Sequence, residues 1–419
     1  MKTHHAPAFA AVIGIDWADR KHDVCLRDSA SNSLEFSVLE HSPGAIDAWA
    51  NALLTRFQDQ PIAVCLEQRK GPLVYALMKY DCFVLFPINP QTVARYRRAF
   101  TPSRAKDDPG DAAILLELFD RHRDKLRPWQ PGSADLRALQ QLVEMRRRLV
   151  ADKVRCTNRL TATLKNYYPH PLEWFTDKDT DIFCDFLARW PTLQDARRAR
   201  KATLLAFFAE HNARYPEVNA KRVAMIKAAT PLTVDNGVIQ PCQLLAQSLV
   251  AQLKVLLAGL RAFDTAIRAL FTQHDDAALF ASLPGAGVQF APRLLAAFGE
   301  DRERYGSADE ILKYAGIAPV TERSGQKSWV HWRYSCPKFL RQSFVEWARE
   351  STRHSFWARA FYQQQRQNGK SHQMAIRALA FKWIRILYRC WQDRKPYDEA
   401  KYLMALKDKG SPLLNFAVS

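Results

Sequence analysis

The sequence predicts an α/β domain at the N-terminus, a helical middle region and a mostly α C-terminal domain. Residues 11–86 hold short apolar runs separated by turns and helical stretches. Two later stretches, 134–167 and 243–272, repeat apolar residues every seven positions. Residues 345–405 carry apolar and aromatic residues at helical spacing, which we assign to a core. We therefore place domains at 8–128, 129–275 and 276–405, followed by a tail at 406–419.

Composition points to a polyanionic partner. The 419 residues include 61 Lys and Arg against 43 Asp and Glu, a formal charge of +18. Such a balance favours nucleic acid over an anionic membrane, and no apolar run reaches the roughly 20 residues that span a bilayer. The start of the chain does not read as a secretory signal. The eight cysteines are scattered without a Cys-x-x-Cys pair, which is typical of reduced thiols in a cytoplasmic protein.

The first domain alternates strands and helices. The apolar runs predict three strands in an antiparallel meander, then helix, strand, helix and strand, at 11–16, 22–28, 33–39, 44–58, 61–66, 71–80 and 82–86. Three antiparallel strands followed by parallel ones match an RNase H-like sheet.

Acidic residues stand where the first domain could hold a metal ion. Asp16 ends the first apolar run and Glu67 follows the fourth, while Asp108 and Asp111 lie three apart at the start of a helical run. Carboxylates at strand ends and in one helix turn can face a common point, where Mg²⁺ takes oxygen ligands. Ordinary strand ends and plain helix capping give the same pattern, so both interpretations stay open.

Two acid-free segments predict nucleic-acid contacts. The first contributes Arg95, Arg97, Arg98, Arg104 and Lys106. The second, 323–345, interleaves cations with aromatic residues, a mixture that suits phosphate neutralisation and base stacking; its candidates are Arg323, Lys327, Trp329, Arg333, Lys338 and Arg341.

Two further motifs carry alternatives. Pro284-Gly285-Ala286-Gly287 between helical runs is either a helix-hairpin-helix turn, whose Gly285 and Gly287 admit a DNA phosphate, or an ordinary tight turn. Ser324, before Gly325 in the basic segment, is either a nucleophile for a phosphodiester or a loop serine. The two heptad stretches form either an antiparallel coiled-coil arm or dimerising surface, or a buried helix pair within one subunit.

Taken in order, these motifs resemble one family. They are Gly14-Ile15-Asp16, Leu66-Glu67, Asn89-Pro90, Lys106-x-Asp108-x-x-Asp111-Ala112, Leu283-Pro284-Gly285-x-Gly287, Tyr314-Ala315-Gly316-Ile317-Ala318-Pro319 and Ser324-Gly325. Together they resemble insertion-sequence transposases of the IS one-ten type, kin of the Piv-type DNA invertases, from about residue 11 to 395.

The resemblance implies a specific activity. It implies a RuvC-like domain with a DEDD acid quartet at Asp16, Glu67, Asp108 and Asp111, a Mg²⁺ cofactor, a coiled-coil segment and a serine nucleophile at Ser324. It also implies recombination of donor and target DNA by a dimer or tetramer in a prokaryotic cytoplasm, guided by a structured bridge RNA. Gln68-Arg69-Lys70-Gly71 and Ser335-Cys336-Pro337-Lys338 depart from the family pattern. A RuvC-like or RNase H-like nuclease and a non-catalytic nucleic-acid-binding protein remain the alternatives.

Overall fold

The computed structural model describes residues 9–68, 70–100, 108–213 and 215–417. Its internal contacts divide the chain into two compact units, Met1–Pro131 and Gly132–Ser419. The first unit combines a sheet with helices and the second is largely helical, so the predicted mixed α/β class is confirmed.

The sheet of the first unit has the strand order β3-β2-β1-β4-β5. Strands β1, β2 and β3 pair antiparallel, whereas β4 and β5 run parallel to β1, as the sequence predicts. The central strands are apolar along their whole length because both faces are covered, and β1 and β4 are almost entirely buried. The strands are β1 (Ala11–Asp16), β2 (Lys21–Asp28), β3 (Leu34–Glu40), β4 (Ile62–Leu66) and β5 (Phe83–Pro87).

Helices cover the two faces of this sheet. The helices are α1 (Pro43–Phe57), α2 (Pro72–Leu77), α3 (Pro90–Phe100) and α4 (Asp108–His122), and a short 3-10 turn covers Arg123–Lys125. Helix α1 begins where the Ser42 side chain accepts from the amide of Ala45, with proline in the first turn. Helices α1 and α2 pack on one face, and α3 and α4 pack on the other.

Two long helices, α5 (Ala134–Tyr167) and α11 (Asn236–Gln273), organise the second unit. They pair antiparallel within the chain: Arg146 contacts Asp264, and farther along Cys156 contacts the carbonyl of Leu249. Helix α11 starts earlier than predicted and runs through Pro241, which lies near its first turns. Shorter helices fold against the end of α5 and the start of α11 as α6 (Pro171–Trp174), α7 (Asp181–Arg189), α8 (Leu193–Arg198), α9 (Lys201–Glu210) and α10 (Pro216–Ala228).

The start of α5 and the end of α11 belong to a separate hydrophobic core, which they form with the C-terminal helices. Trp347, Trp357, Trp383 and Trp391 are fully buried there, whereas Phe356, which we assigned to the core, is 42% exposed. The elements are α12 (Ala277–Ala281), α13 (Gly287–Phe298), α14 (Ala308–Tyr314), β6 (Val320–Ser324), β7 (Lys327–His331), α15 (Lys338–Ser351), α16 (Phe356–Gln367), α17 (His372–Gln392), α18 (Glu399–Asp408) and a 3-10 turn at Pro412–Ala417.

Helix α11 bears on the membrane alternative that the composition disfavours. By length and composition it is able to cross a membrane, the one such helix in the described ranges. Its buried residues, among them Leu249, Leu253 and Ile267, pack into the two cores of the second unit. A core helix passes the same test of length and composition, so this helix is weak support for a membrane span.

Candidate active site

Asp16 ends β1 and Glu67 follows β4, so both acids lie at the carboxyl ends of two neighbouring inner strands. Ile15 pairs with Leu66 in the parallel β1–β4 ladder, so the acids that follow each residue leave the sheet at the same level. Both acids are partly exposed although the strands before them are buried. The strands thus fix the backbone of two carboxylates at neighbouring carboxyl ends, where ligands of α/β sheets commonly bind.

Gly14 brings the start of α4 against the same strand. A Cβ atom at Gly14 would stand 2.0 Å from the carbonyl oxygen of Ala112, so any other residue would collide with the helix backbone. The contact places Asp111, the neighbour of Ala112, beside the strand that carries Asp16. The glycine in Gly14-Ile15-Asp16 therefore serves close helix packing two residues before the acid.

Asp111 is 4% exposed and forms an ion pair with Arg97 of α3. This pairing differs from the nucleic-acid contact that we predicted for Arg97, because its guanidinium is turned toward the acid while Arg95 and Arg98 are exposed. The Nε atom of Arg97 has no hydrogen-bond acceptor among the described residues. Arg104, Lys106 and the side chain of Asp108 lie outside the described part of the chain.

The acids have the oxygen donors that a hard divalent cation prefers, and three of the four stand on adjoining elements. Among the described side chains, which do not include that of Asp108, no group of three or more metal-binding residues gathers closely enough to hold an ion. Arg97 contacts Oδ2 of Asp111, so a cation bound through that oxygen would displace the guanidinium.

A histidine pair that sequence reasoning missed follows Asp16. The amide of Ala18 donates to Nδ1 of His22 at 3.3 Å, so Nε2 of His22 carries its hydrogen and donates to Nδ1 of His41 at 3.0 Å. Burial, together with the neighbouring His41, lowers the pKa of His22 to about 4. The turn that follows Asp16 therefore packs against the neutral, buried imidazole of His22.

Ser324 stands at the tip of an exposed β-hairpin in the second unit. It pairs with Lys327 across the two-residue turn Gly325-Gln326. Gly325 has φ +57°, the sign required at the first turn position of a type II′ hairpin, so glycine is needed there. The sequence predicts a loop here within a mostly α domain, and the hairpin is a finding of the structure.

The hairpin sorts the residues around Ser324 by face. Because directly paired residues share a face and alternate along each strand, Lys327 lies on the face of Ser324. Arg323, paired with Ser328, lies on the other face. The two cations that flank the serine in sequence are therefore not equivalent in space.

Glu322 and its partners complete the face of Ser324. The Glu322 carboxylate accepts from the indole of Trp329 at 3.1 Å and from Nε2 of His331 at 2.8 Å. These contacts hold the pKa of Glu322 below its usual value and raise that of His331, whose Nδ1 also contacts the carbonyl of Trp332. The Trp329 ring is fixed at its edge and remains 46% exposed, as a stacking platform requires.

The rest of the basic-aromatic segment is partly internal. The guanidinium groups of Arg341 and Arg377 lie over the Trp332 ring, 4.6 and 3.3 Å from its centroid. Arg341 also donates to the carbonyl of Arg333, and Arg333 donates to that of Ala318. Lys338, by contrast, is exposed at the start of α15.

The two glycines of the predicted helix-hairpin-helix turn differ. A Cβ at Gly285 would meet His354 and the backbone of Glu350 at 3.0–3.2 Å, so packing against the end of α15 accounts for this glycine. Gly287 has φ +46° and open space around it. Only the second glycine leaves an unobstructed approach to the backbone.

Comparisons with known proteins define the class. The family described as "Transposase", of the DEDD type, matches residues 13–169, which span the acids and α5. The family described as "Transposase IS116/IS110/IS902 family" matches residues 277–363, which span the glycine turn and the serine hairpin. Both matches indicate an insertion-sequence transposase.

Individual relatives agree. The chain is 29% identical to the "Mini-circle putative transposase for IS117" of Streptomyces coelicolor over 93% of this chain and 95% of the relative. It is 31% identical to the "Insertion element IS900 uncharacterized 42 kDa protein" of Mycobacterium paratuberculosis over 70% of this chain and 73% of the relative. This chain belongs to the IS110 family of insertion-sequence transposases. Transposases of this family act on DNA, and DEDD transposases generally use divalent metal ions.

Proposed function

We propose that this transposase cuts and rejoins DNA through a covalent phosphoserine intermediate at Ser324, together with a Mg²⁺-dependent site at Asp16, Glu67, Asp108 and Asp111. The observation that supports the acid site best is the contact of Gly14 with Ala112, since only glycine lets the helix start that bears Asp111 lie beside the strand of Asp16. The sheet order also supports an RNase H-like, RuvC-like assignment.

The proposed chemistry needs no external energy source. The Ser324 oxygen attacks the phosphorus, a P–O bond to serine forms and the P–O bond to the deoxyribose breaks. The serine gives up its proton and the leaving deoxyribose oxygen takes one up, so one diester replaces another and the step can be reversed for rejoining. Lys327 is placed to pair with a phosphate oxygen. A divalent ion among the acids would neutralise phosphate charge and stabilise the charge that develops in the transition state.

We further propose that donor and target DNA are selected by a structured RNA, and that the active protein is a dimer or tetramer. The formal charge of +18 and the exposed Trp329 on the face of Ser324 support a nucleic-acid partner. The RNA and the oligomer otherwise rest on the family resemblance.

Protein–DNA adduct formation tests the serine. The full chain is incubated with Mg²⁺, labelled DNA and RNA transcribed from the flank of its gene. Ser324→Ala should bind DNA but form no adduct, while Ser328→Ala, a matched control on the opposite face of the hairpin, should form it normally. An adduct that persists in Ser324→Ala would contradict the assignment, and free DNA ends without any adduct would instead indicate a nuclease.

Strand cleavage by acid variants tests the metal site. Asp16→Asn and Glu67→Gln remove charge at the two strand ends with little change in volume, and both should abolish cleavage while far-UV circular dichroism stays unchanged. Mixing Asp16→Asn protein with Ser324→Ala protein should restore activity when different chains can supply the acid and the serine. Near-normal cleavage in both acid variants would exclude the site.

A further inference from the structure

The second unit contains a cavity that the proposed reaction does not use. It lies where α5, α11, α13 and α15 meet and has a volume of about 110 Å³. Its walls carry three arginines, Arg146 and Arg147 from α5 and Arg293 from α13. Val288 and Gln289, which are exposed in the first turn of α13, also line the cavity, so it opens to solvent there.

The charges in this cavity do not balance. Arg146 forms a two-point ion pair with Asp264, with Nε–Oδ1 2.5 Å and Nη2–Oδ2 3.1 Å. Arg293 pairs with Glu346 at 2.8 Å. Arg147 donates at 3.2 Å to the neutral amide oxygen of Gln342. Three cations thus face two carboxylates.

Donor groups in the wall remain unsatisfied. Nε of Arg147 and Nη2 of Arg293 are buried and have no hydrogen-bond acceptor among the described residues. Burial lowers the pKa of Arg293, the ion pair with Glu346 raises it, and the charges of Arg146 and Arg147 lower it. Buried donors without acceptors are costly, and an anion in the cavity would offset the excess positive charge of the three guanidinium groups.

The volume of the cavity limits the size of the anion that it can hold. A volume of about 110 Å³ has room for several waters, or for one tetrahedral oxyanion, among the three arginines that line the cavity. The first turn of α13 at the opening adds backbone N–H groups and the positive end of a helix dipole. We propose that this cavity is a binding site for a single phosphate group, supplied either by a nucleic-acid backbone or as free phosphate.

Equilibrium dialysis with radiolabelled inorganic phosphate, at constant ionic strength, tests the site in the full chain. Wild-type protein should bind about one phosphate, and Arg147→Gln should weaken binding at least about tenfold, the loss expected of a charge-assisted contact. Arg148→Gln is the matched control: it removes the same charge from the next position of α5, where the side chain is 69% exposed, and should leave binding unchanged.

A second variant keeps the test valid if Arg147→Gln fails to fold. Gln289→Glu places a negative charge at the exposed mouth without touching the buried ion pairs, and it should also weaken phosphate binding. Gln240→Glu, an exposed position near the start of α11, is its control of equal charge. The Arg147 variant and wild-type protein are also compared for duplex binding at several salt concentrations.

The two measurements distinguish the sources of phosphate. If Arg147→Gln loses phosphate and its salt slope on duplex DNA falls by about 0.9 relative to wild-type protein, the site takes a backbone phosphate. If it loses phosphate with an unchanged slope, the site takes free phosphate. No saturable phosphate binding by the wild type, or equal binding by Arg147→Gln, Gln289→Glu and their controls, overturns the proposal.

Discussion

At the scale of single residues, Gly14 is the position on which the acid site depends most. We expect Gly14→Ala to destabilise the first unit by about 3 kcal/mol or more, because the new methyl group would meet a backbone oxygen at 2.0 Å and a helix must move. Urea unfolding measures the loss. Gly44→Ala is the control, since a Cβ there meets nothing within 4 Å and lies in helix α1. Equal stability of the two variants would contradict this account.

His22 makes a prediction about pH. Its pKa is about 4 in the folded protein, below its usual value near 6.5, so the folded state disfavours the protonated ring. The stabilisation is complete above pH 6.5 and is lost as pH falls toward 4, by up to about 3 kcal/mol. Unfolding free energies at pH 7 and pH 4.5 should differ more in wild type than in His22→Gln. His354→Gln, which removes a half-exposed ring, is the control for the loss of a histidine.

At the scale of elements, the serine hairpin separates two neighbouring cations. Lys327 shares the face of Ser324 and Arg323 does not, so Lys327→Ala should slow adduct formation by about tenfold, whereas Arg323→Ala should change it little. Single-turnover adduct formation at saturating DNA measures the difference without a contribution from binding. A larger loss of rate in Arg323→Ala than in Lys327→Ala would show that the side of the hairpin on which a cation lies does not determine its effect on adduct formation.

The same hairpin marks where sequence reasoning fails. Strands β1 and β4 were predictable because unbroken apolar runs end at Asp16 and Glu67. Residues 320–331 are almost entirely exposed, so no buried face leaves an alternating pattern to read. The ion pair of Arg97 with Asp111 was equally hidden, because it depends on how α3 packs against α4. The arginines at 95–98 consequently looked alike in sequence although one of them, Arg97, is engaged by an acid.

The helix pair α5–α11 bears on a question that the sequence left open. Heptad residues such as Leu139, Leu160, Leu253 and Ile267 enter cores within the chain. Other apolar residues of α11 remain outside, with Leu244 71% and Val255 73% exposed. These residues offer an outer face for assembly, and dimerisation through the two helices stays a prediction.

At the scale of the whole molecule, the second unit has the cores of an independent domain. Both of its hydrophobic clusters lie wholly within Gly132–Ser419. A fragment of residues 132–419 should therefore unfold cooperatively when expressed alone, with the helical circular dichroism of folded protein. A fragment that begins at residue 168 should not, because it lacks α5, which contributes to both clusters. Cooperative unfolding of the shorter fragment would contradict this division.

The net charge makes the last prediction. A protein with a formal charge of +18 should bind nucleic acid mainly through phosphates, so the logarithm of its affinity should fall linearly with that of salt concentration, by about 0.9 per phosphate contact on duplex DNA. Removal of an exposed cation such as Arg95, Arg98 or Lys338 should lower this slope by about one contact. Arg97→Gln should not, because its guanidinium is engaged with Asp111. Fluorescence anisotropy with one duplex at several salt concentrations gives each slope. A reduced slope for Arg97→Gln, equal to that of Arg98→Gln, would show that the ion pair opens when DNA binds, and that Asp111 is then released to meet a metal ion.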